Sequence, residues 1–349
     1  MRIFMSEAYL RPFIARQPII TALRLVALGC LLSITPMAQS QAPAKSQTGA
    51  PAALAGVKAF DTPQHAADDL IKAAADYNVP ELTAIFGSDG EDFITGGDEV
   101  QNKNNAIAFG RMAKAKNSVS ISVSDPNVAT LIVGDDDWPL PVPIVKKKGK
   151  WYFDAKAGRR EILYRRIGAN ELNAITVCRG YVDAQREYSL QIHDDSGVNQ
   201  YAQKIFSTPG KQDGLYWKNP DRSSGGPIGE AVAKVLDEGY SIGKSGFHGY
   251  YFKILKGQGP DAPMGKINYV IEGVMIGGFA LVAVPADYRV TGVKTFIVSN
   301  DGVVYQKDLG PNSLEIAKKM EFYNPDKTWR PTDDDWPQSV AAVTGPDAP

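Results

Sequence analysis

Hydrophobic and polar positions change period along the chain, and each change marks a predicted element. From Phe60 the period is helical. Asp61-Thr62-Pro63 supplies a capping residue followed by Pro at the first helical position, and Ala66, Leu70, Ala74 and Tyr77 recur three and four apart. A second short helix is predicted from Pro80 to Phe86, and a third from Asp98 to Ala115 with Val100, Ile107 and Met112 as anchors. Val119-Ser120-Ile121-Ser122-Val123 then alternates strictly, the pattern of a strand with one buried face. Further strands are predicted at Val128 to Val133 and Val142 to Val145, and Lys148-Gly149 turns the chain into Trp151-Tyr152-Phe153.

A helical stripe returns at Ala174, Val177, Tyr181, Ala184 and Tyr188. Gly168 reads as a break and Asn170 as an N-cap, so residues 171–192 are predicted as one helix of roughly 33 Å. Beyond it come a loop-rich stretch, a short helix from Pro227 to Leu236, and strands at Tyr250 to Leu255 and Phe279 to Val284. Val293 to Val298, the turn Asn300-Asp301-Gly302 and Val303 to Tyr305 predict a hairpin. The fold class is therefore α+β, in two parts: a domain at 58–157 and a second at 158–325. Residues 41–57 read as a flexible leader and 326–349 as a Pro- and Asp-rich tail.

Three resemblances follow from these segments. Helices first, then a meander with the Gly149-Lys150-Trp151 hairpin, resemble nuclear-transport-factor-like domains, which implies a curved antiparallel sheet wrapping helices around a pocket. The stripe from Ala174 to Tyr188, with Gly278 to Pro285, Thr291 to Phe296 and Asn300-Asp301-Gly302-Val303, resembles the globular head of type IV pilins and pseudopilins. The apolar, glutamate-containing half-helix by which that family assembles does not precede the stripe. Over about residues 58 to 336, Ala184 to Tyr188, His248 to Leu255 and Met275 to Leu281 together resemble a bacterial family of exported proteins catalogued only as a domain of unknown function. That likeness implies no reaction, ligand or catalytic residues.

Composition narrows the class. Of 349 residues 44% are hydrophobic, and 38 Lys+Arg against 39 Asp+Glu give a net charge of -1. These averages exclude collagen-like, disordered and disulfide-scaffold chains, and the neutral balance gives no footprint for nucleic acid. Two cysteines and three histidines leave little for a metal site, so no metal or cofactor is expected. The first 40 residues read as a signal peptide. Arg2, Arg11, Arg16 and Arg24 precede an apolar run from Leu25 to Ile34, then Pro36 and the small residues Ala38 and Ser40. Cleavage after Ser40 would leave 34 basic and 38 acidic residues, a charge of -4, in a periplasmic or secreted chain with no transmembrane span. Lipid attachment at Cys30 is the lesser alternative.

The strongest local chemistry is basic. Lys146, Lys147, Lys148, Lys150, Lys156, Arg159, Arg160, Arg165 and Arg166 face only Asp154 and Glu161 in between, with Trp151, Tyr152, Phe153 and Tyr164 interleaved. Such a segment can hold an anionic envelope polymer or lipid headgroups, but charge runs are usually solvent faces, and a solvated hairpin tip and helix face is the first reading. Asp135-Asp136-Asp137-Trp138-Pro139 recurs as Asp333-Asp334-Asp335-Trp336-Pro337, read as polar turns rather than calcium loops. Cys178 and His193 are too far apart along one helix to work as a dyad, and His193-Asp194-Asp195-Ser196-Gly197 reads as a helix exit. Ser223 to Gly229 reads as a glycine-rich turn opening a helix. His248, Tyr250 and Tyr251 head a strand; they read first as core packing and, as the lesser alternative, are the second candidate binding group.

The expectation is an exported, non-catalytic protein that binds an envelope protein or anionic envelope polymer. The alternatives are a secreted hydrolase using His248 or His193 with carboxylates or Cys178, and a soluble accessory of a pilus or type II secretion machine.

Overall fold

A computed structural model describes residues 56–95, 99–193, 196–229 and 249–332. The predicted signal peptide, most of the leader, His248 and the second acidic triplet lie outside the described residues. The chain is mixed α+β, with six α-helices among the described residues and several antiparallel sheets. It divides into two compact units, one ending at Ile162 and the other beginning at Leu163.

In the first unit, α1 (Pro63–Ala75) starts where Thr62 Oγ1 accepts the His65 N–H at 3.0 Å, and α2 (Val79–Phe86) where Asn78 Oδ1 accepts from Glu81 N at 3.2 Å. A short helix, α3 (Glu91–Thr95), was not legible, because only Phe93 and Ile94 mark its buried side. In α4 (Glu99–Ala115) one expected anchor is corrected, while Met112 packs half-buried against the core. Val100 is exposed, and the helix packs through Ala106, Phe109, Gly110 and Ala113. A side chain on Gly110 would meet the Ala75 backbone at 2.5 Å, so small residues set the close approach of α1 and α4.

The sheet runs β1 (Asn117–Ile121), β2 (Val128–Val133), β4 (Ile144–Lys147), β5 (Lys150–Phe153), with β3 (Trp138–Pro139) also on β2. Ala129, Leu131 and Val133 face inward on β2, and Val119 and Ile121 of β1 stand opposite Leu131 and Ala129. The expected buried face of β1 is only partly covered: Val119 is half-buried and Ile121 is 52% exposed. Phe60, Phe86 and Phe153 close the core edge to face.

Helix α5 (Ala155–Tyr188) corrects the prediction at both ends. It begins where Asp154 Oδ1 accepts from Ala157 N at 2.9 Å, and it runs through Gly168 and Asn170. A Cβ at Gly168 would meet nothing beyond its own helix within 4 Å, so the glycine costs only helix propensity, about 1 kcal/mol against Ala. Asn170, instead of capping, donates through Nδ2 to Thr291 O at 2.8 Å.

The second unit opens with two short strands, β6 (Trp217–Lys218) and β7 (Ser224–Gly225), paired as a hairpin. The glycine-rich segment therefore lies in a strand and turn. Pro227 to Gly229 is not helical, and the rest of the predicted helix lies outside the described residues. Then come β8 (Tyr250–Leu255), β9 (Gly257–Gln258), β10 (Ile267–Asn268), β11 (Val270–Ile271), β12 (Val274–Met275), β13 (Ala280–Pro285), β14 (Thr295–Ser299) and β15 (Tyr305–Lys307). A last helix, α6 (Ser313–Lys319), precedes β16 (Phe322–Tyr323) and β17 (Arg330–Pro331).

The main sheet has the order β17-β15-β14-β13-β8, all antiparallel. The expected strand at Val303 begins instead at Tyr305. Val303 N donates to Asp301 Oδ1 at 3.0 Å, which takes its N–H from the ladder. Residues 326–332 are likewise no tail, since Trp329 is buried and Arg330–Pro331 pairs with β15. Polar groups here are spent internally. Lys253 Nζ caps α6 by donating to Lys318 O at 2.6 Å and Met320 O at 2.8 Å. Glu171 Oε1 accepts from Val293 N and Lys294 N at 2.9 and 3.0 Å.

Candidate functional site

The basic segment falls on two adjoining elements of the first unit. Lys148 (φ 50) and Gly149 (φ 81) form a two-residue turn between β4 and β5, the left-handed pair that a tight hairpin requires. β5 then feeds α5 through Asp154, so the Lys147–Lys150 tip and the helix start lie about 10 Å apart along β5. Ile144, Trp151 and Phe153 turn inward, and Lys146 lays its ammonium 5.7 Å from the Trp151 ring centre.

Two of the expected cations are paired. Lys150 forms an ion pair with Asp61, and the hydrogen bond between them raises the lysine and lowers the carboxyl. Arg159 pairs with Asp92 and lies over the Phe93 ring at 5.5 Å. Both acids sit far away in sequence, so no local charge count could find them. Lys147, Lys148, Lys156 and Arg160 have no acidic partner among the described residues, and Lys148, Lys156 and Arg160 are exposed. Past its Asp154 cap the first turn of α5 contains no further acid, so Lys156 and Arg160 add to the positive end of the helix dipole, which that single carboxylate offsets. Outside this group, Arg166 donates to Val290 O at 3.0 Å in the second unit.

The second candidate group is corrected. Tyr250 is fully buried, donates to Lys294 O at 2.8 Å and packs on Phe296, and burial pushes its hydroxyl up. Tyr251 is buried too. Both are core residues of β8, because the side chains of this edge strand are covered on either face; His248 lies outside the described residues.

Two parts of the nucleophile reading, Cys178 and His193, are engaged elsewhere, and the third, His248, lies outside the described residues. Cys178 is fully buried, and burial pushes its thiol up to about 12, which leaves no thiolate near neutral pH. His193 Nε2 is 2.8 Å from Tyr188 O; a carbonyl only accepts, so this nitrogen carries the proton and caps α5. Its ring stacks on Tyr188 at 4.0 Å and leans on Trp217 at 5.4 Å. The first acidic triplet is a turn in which Asp137 (φ 49) pairs with Lys116 at 2.9 Å. Among the described residues no group of His, Cys, Asp and Glu could hold a metal, and no helix is long and apolar enough to cross a membrane.

Among curated proteins and among solved structures, none matches the chain. A family model described as "Protein of unknown function (DUF2950)" matches residues 57–332, nearly the span over which the sequence resembles a family of unknown function. The chain belongs to that family.

Proposed function

We propose that this is an exported envelope protein that works without catalysis, binding an anionic envelope polymer through the β4–β5 tip and the start of α5. One observation carries the reading: among the described residues, Lys147, Lys148, Lys156 and Arg160 stand without acidic partners beside a helix start whose acid, Asp154, is taken up as its cap. Unpaired cations there raise the local potential, and a polyanion is the ligand that such a surface attracts. Export rests on the N-terminal layout of arginines, apolar run and small residues.

The test is retention on immobilised heparin, used as a soluble-polyanion mimic, across a salt gradient. The quadruple variant Lys147→Glu, Lys148→Glu, Lys156→Glu, Arg160→Glu is expected to elute at much lower salt than wild type. Equal elution of the two proteins would sink the proposal.

The runner-up is a soluble accessory of a pilus or type II secretion machine. It is supported by the order of one long helix followed by an antiparallel sheet, which the second unit has in common with pilin heads. In the same way, helices followed by a meander keep the nuclear-transport-factor-like shape as a proposal for the first unit. Failure of any secretion or pilus component to co-purify with the cross-linked chain would remove the accessory role.

A further inference from the structure

The edge of the first sheet carries an inference that does not depend on the polyanion reading. β1 is an edge strand, and its hydrogen bonding fixes which backbone groups are free. Ser122 N donates to Val128 O at 2.8 Å and Gly134 N to Lys116 O at 2.9 Å, on either side of the register Ser118↔Ile132 and Ser120↔Thr130. Even-numbered residues therefore spend their N–H and C=O on β2. The odd-numbered residues Val119 and Ile121 turn theirs outward, β1 ends at Ile121 with Val123 in the bend that follows, and none of the three takes a backbone partner among the described residues.

Such an edge is normally blunted by a charge, a proline or a bulge. Asn117 to Ser124 contains neither a charged residue nor a proline, and β1 pairs with β2 without a bulge. Ile121 is 52% exposed and Val123 is fully exposed.

The segment Ser118-Val119-Ser120-Ile121-Ser122-Val123-Ser124 reads the same in both directions. An antiparallel pair related by a two-fold axis is the one arrangement in which such a palindrome meets itself in register. With the axis at Ile121, Val119 faces Val123 of the second copy and Ile121 faces Ile121. The Ile121 pair joins two outward-turned residues and exchanges two hydrogen bonds, and Val119 gains its two once the bend at Val123 of the second copy extends on docking. Serine then meets serine on the other face. Every cross-strand pair is apolar–apolar or hydroxyl–hydroxyl, with no like charges opposed.

We propose that the β1 edge docks a second copy of this chain, joining two five-stranded sheets into one across a two-fold axis at Ile121. The partner is a copy of the chain because the edge is complementary to its own sequence and offers no charge by which to select another.

The full-length protein is examined by sedimentation equilibrium from about 1 to 100 µM, the range where small interfaces exchange. Wild type is expected to move from monomer to dimer as concentration rises. Ile121→Lys, which sets two ammonium groups against each other on the axis, is expected to stay monomeric with an unchanged melting temperature. Register is read from oxidised cysteine variants in a Cys30→Ser background, where the other thiol, Cys178, is buried. Ile121→Cys is expected to cross-link to itself, since the paired Cα atoms would lie about 5.5 Å apart, whereas Val119→Cys would not. A wild type that is monomeric throughout, an Ile121→Lys dimer, or equal cross-linking of the two cysteine variants would each overturn the proposal.

Discussion

Two antiparallel strands of similar length, β1 in the first unit and β14 in the second, have opposite fates. All five residues of β14 are buried, including Thr295 and Ser299, while none of the five in β1 is. β14 lies between β13 and β15 in the interior of its sheet; β1 has a neighbour on one side only. Strand alternation thus states which way side chains point, and the position of the strand in its sheet decides whether anything covers them. The same contrast holds for charge. Lys253, Glu171 and Asp213 in the second unit bond to backbone groups or neighbouring side chains of their own fold, whereas the first unit leaves cations and a strand edge turned outward. Both contacts proposed above, polyanion binding and self-pairing, therefore fall on the first unit.

Substitutions can break that comparison. The largest effect is expected at Tyr250→Ala, which empties a core site and leaves Lys294 O without its donor; about 3–5 kcal/mol should be lost in urea unfolding. Ile121→Ala on β1 should cost under about 1 kcal/mol in the monomer. Comparable losses at the two sites would mean that the β1 edge is covered after all.

Next comes Glu171→Ala, which strips the acceptor from Val293 N and Lys294 N and should cost about 1.5–3 kcal/mol. Asp213 gives a pH signature. Burial pushes its carboxyl up, but the hydrogen bonds from Lys204 Nζ and from Thr208 N and Oγ1 outweigh it and hold the group at about 2. A folded value below the unfolded value of about 3.9 means stability that is present above pH 4 and lost as pH falls toward 2. Because Lys204 is half exposed, about 1–2 kcal/mol is expected, and Asp213→Asn should flatten that part of the stability–pH curve. The smallest change is expected at Lys148→Ala: within about 0.5 kcal/mol in stability, yet with earlier elution from heparin.

What the sequence made legible follows the same physics. The helix caps at Thr62 and the Lys148-Gly149 turn are local, and both were readable. The start of α5 was misplaced because Gly168 and Asn170 look like a boundary, although Asn170 is taken by a loop more than a hundred residues away. The basic segment was found, but its pairing with Asp61 and Asp92 is tertiary and had no sequence signal. Tyr250 and Tyr251 read as core first and as a recognition surface second, since aromatic residues serve both, and burial settles it for the core.

The contrast between closed and open sheets is tested most directly by amide exchange along residues 118–124, in wild type at high concentration and in Ile121→Lys. The account predicts alternation in the variant, with Ser118, Ser120 and Ser122 slow and Val119 fast, and slow exchange at Val119 and Ile121 in wild type. Fast exchange at Val119 and Ile121 in concentrated wild type would contradict it, as would slow exchange at Val119 in the variant.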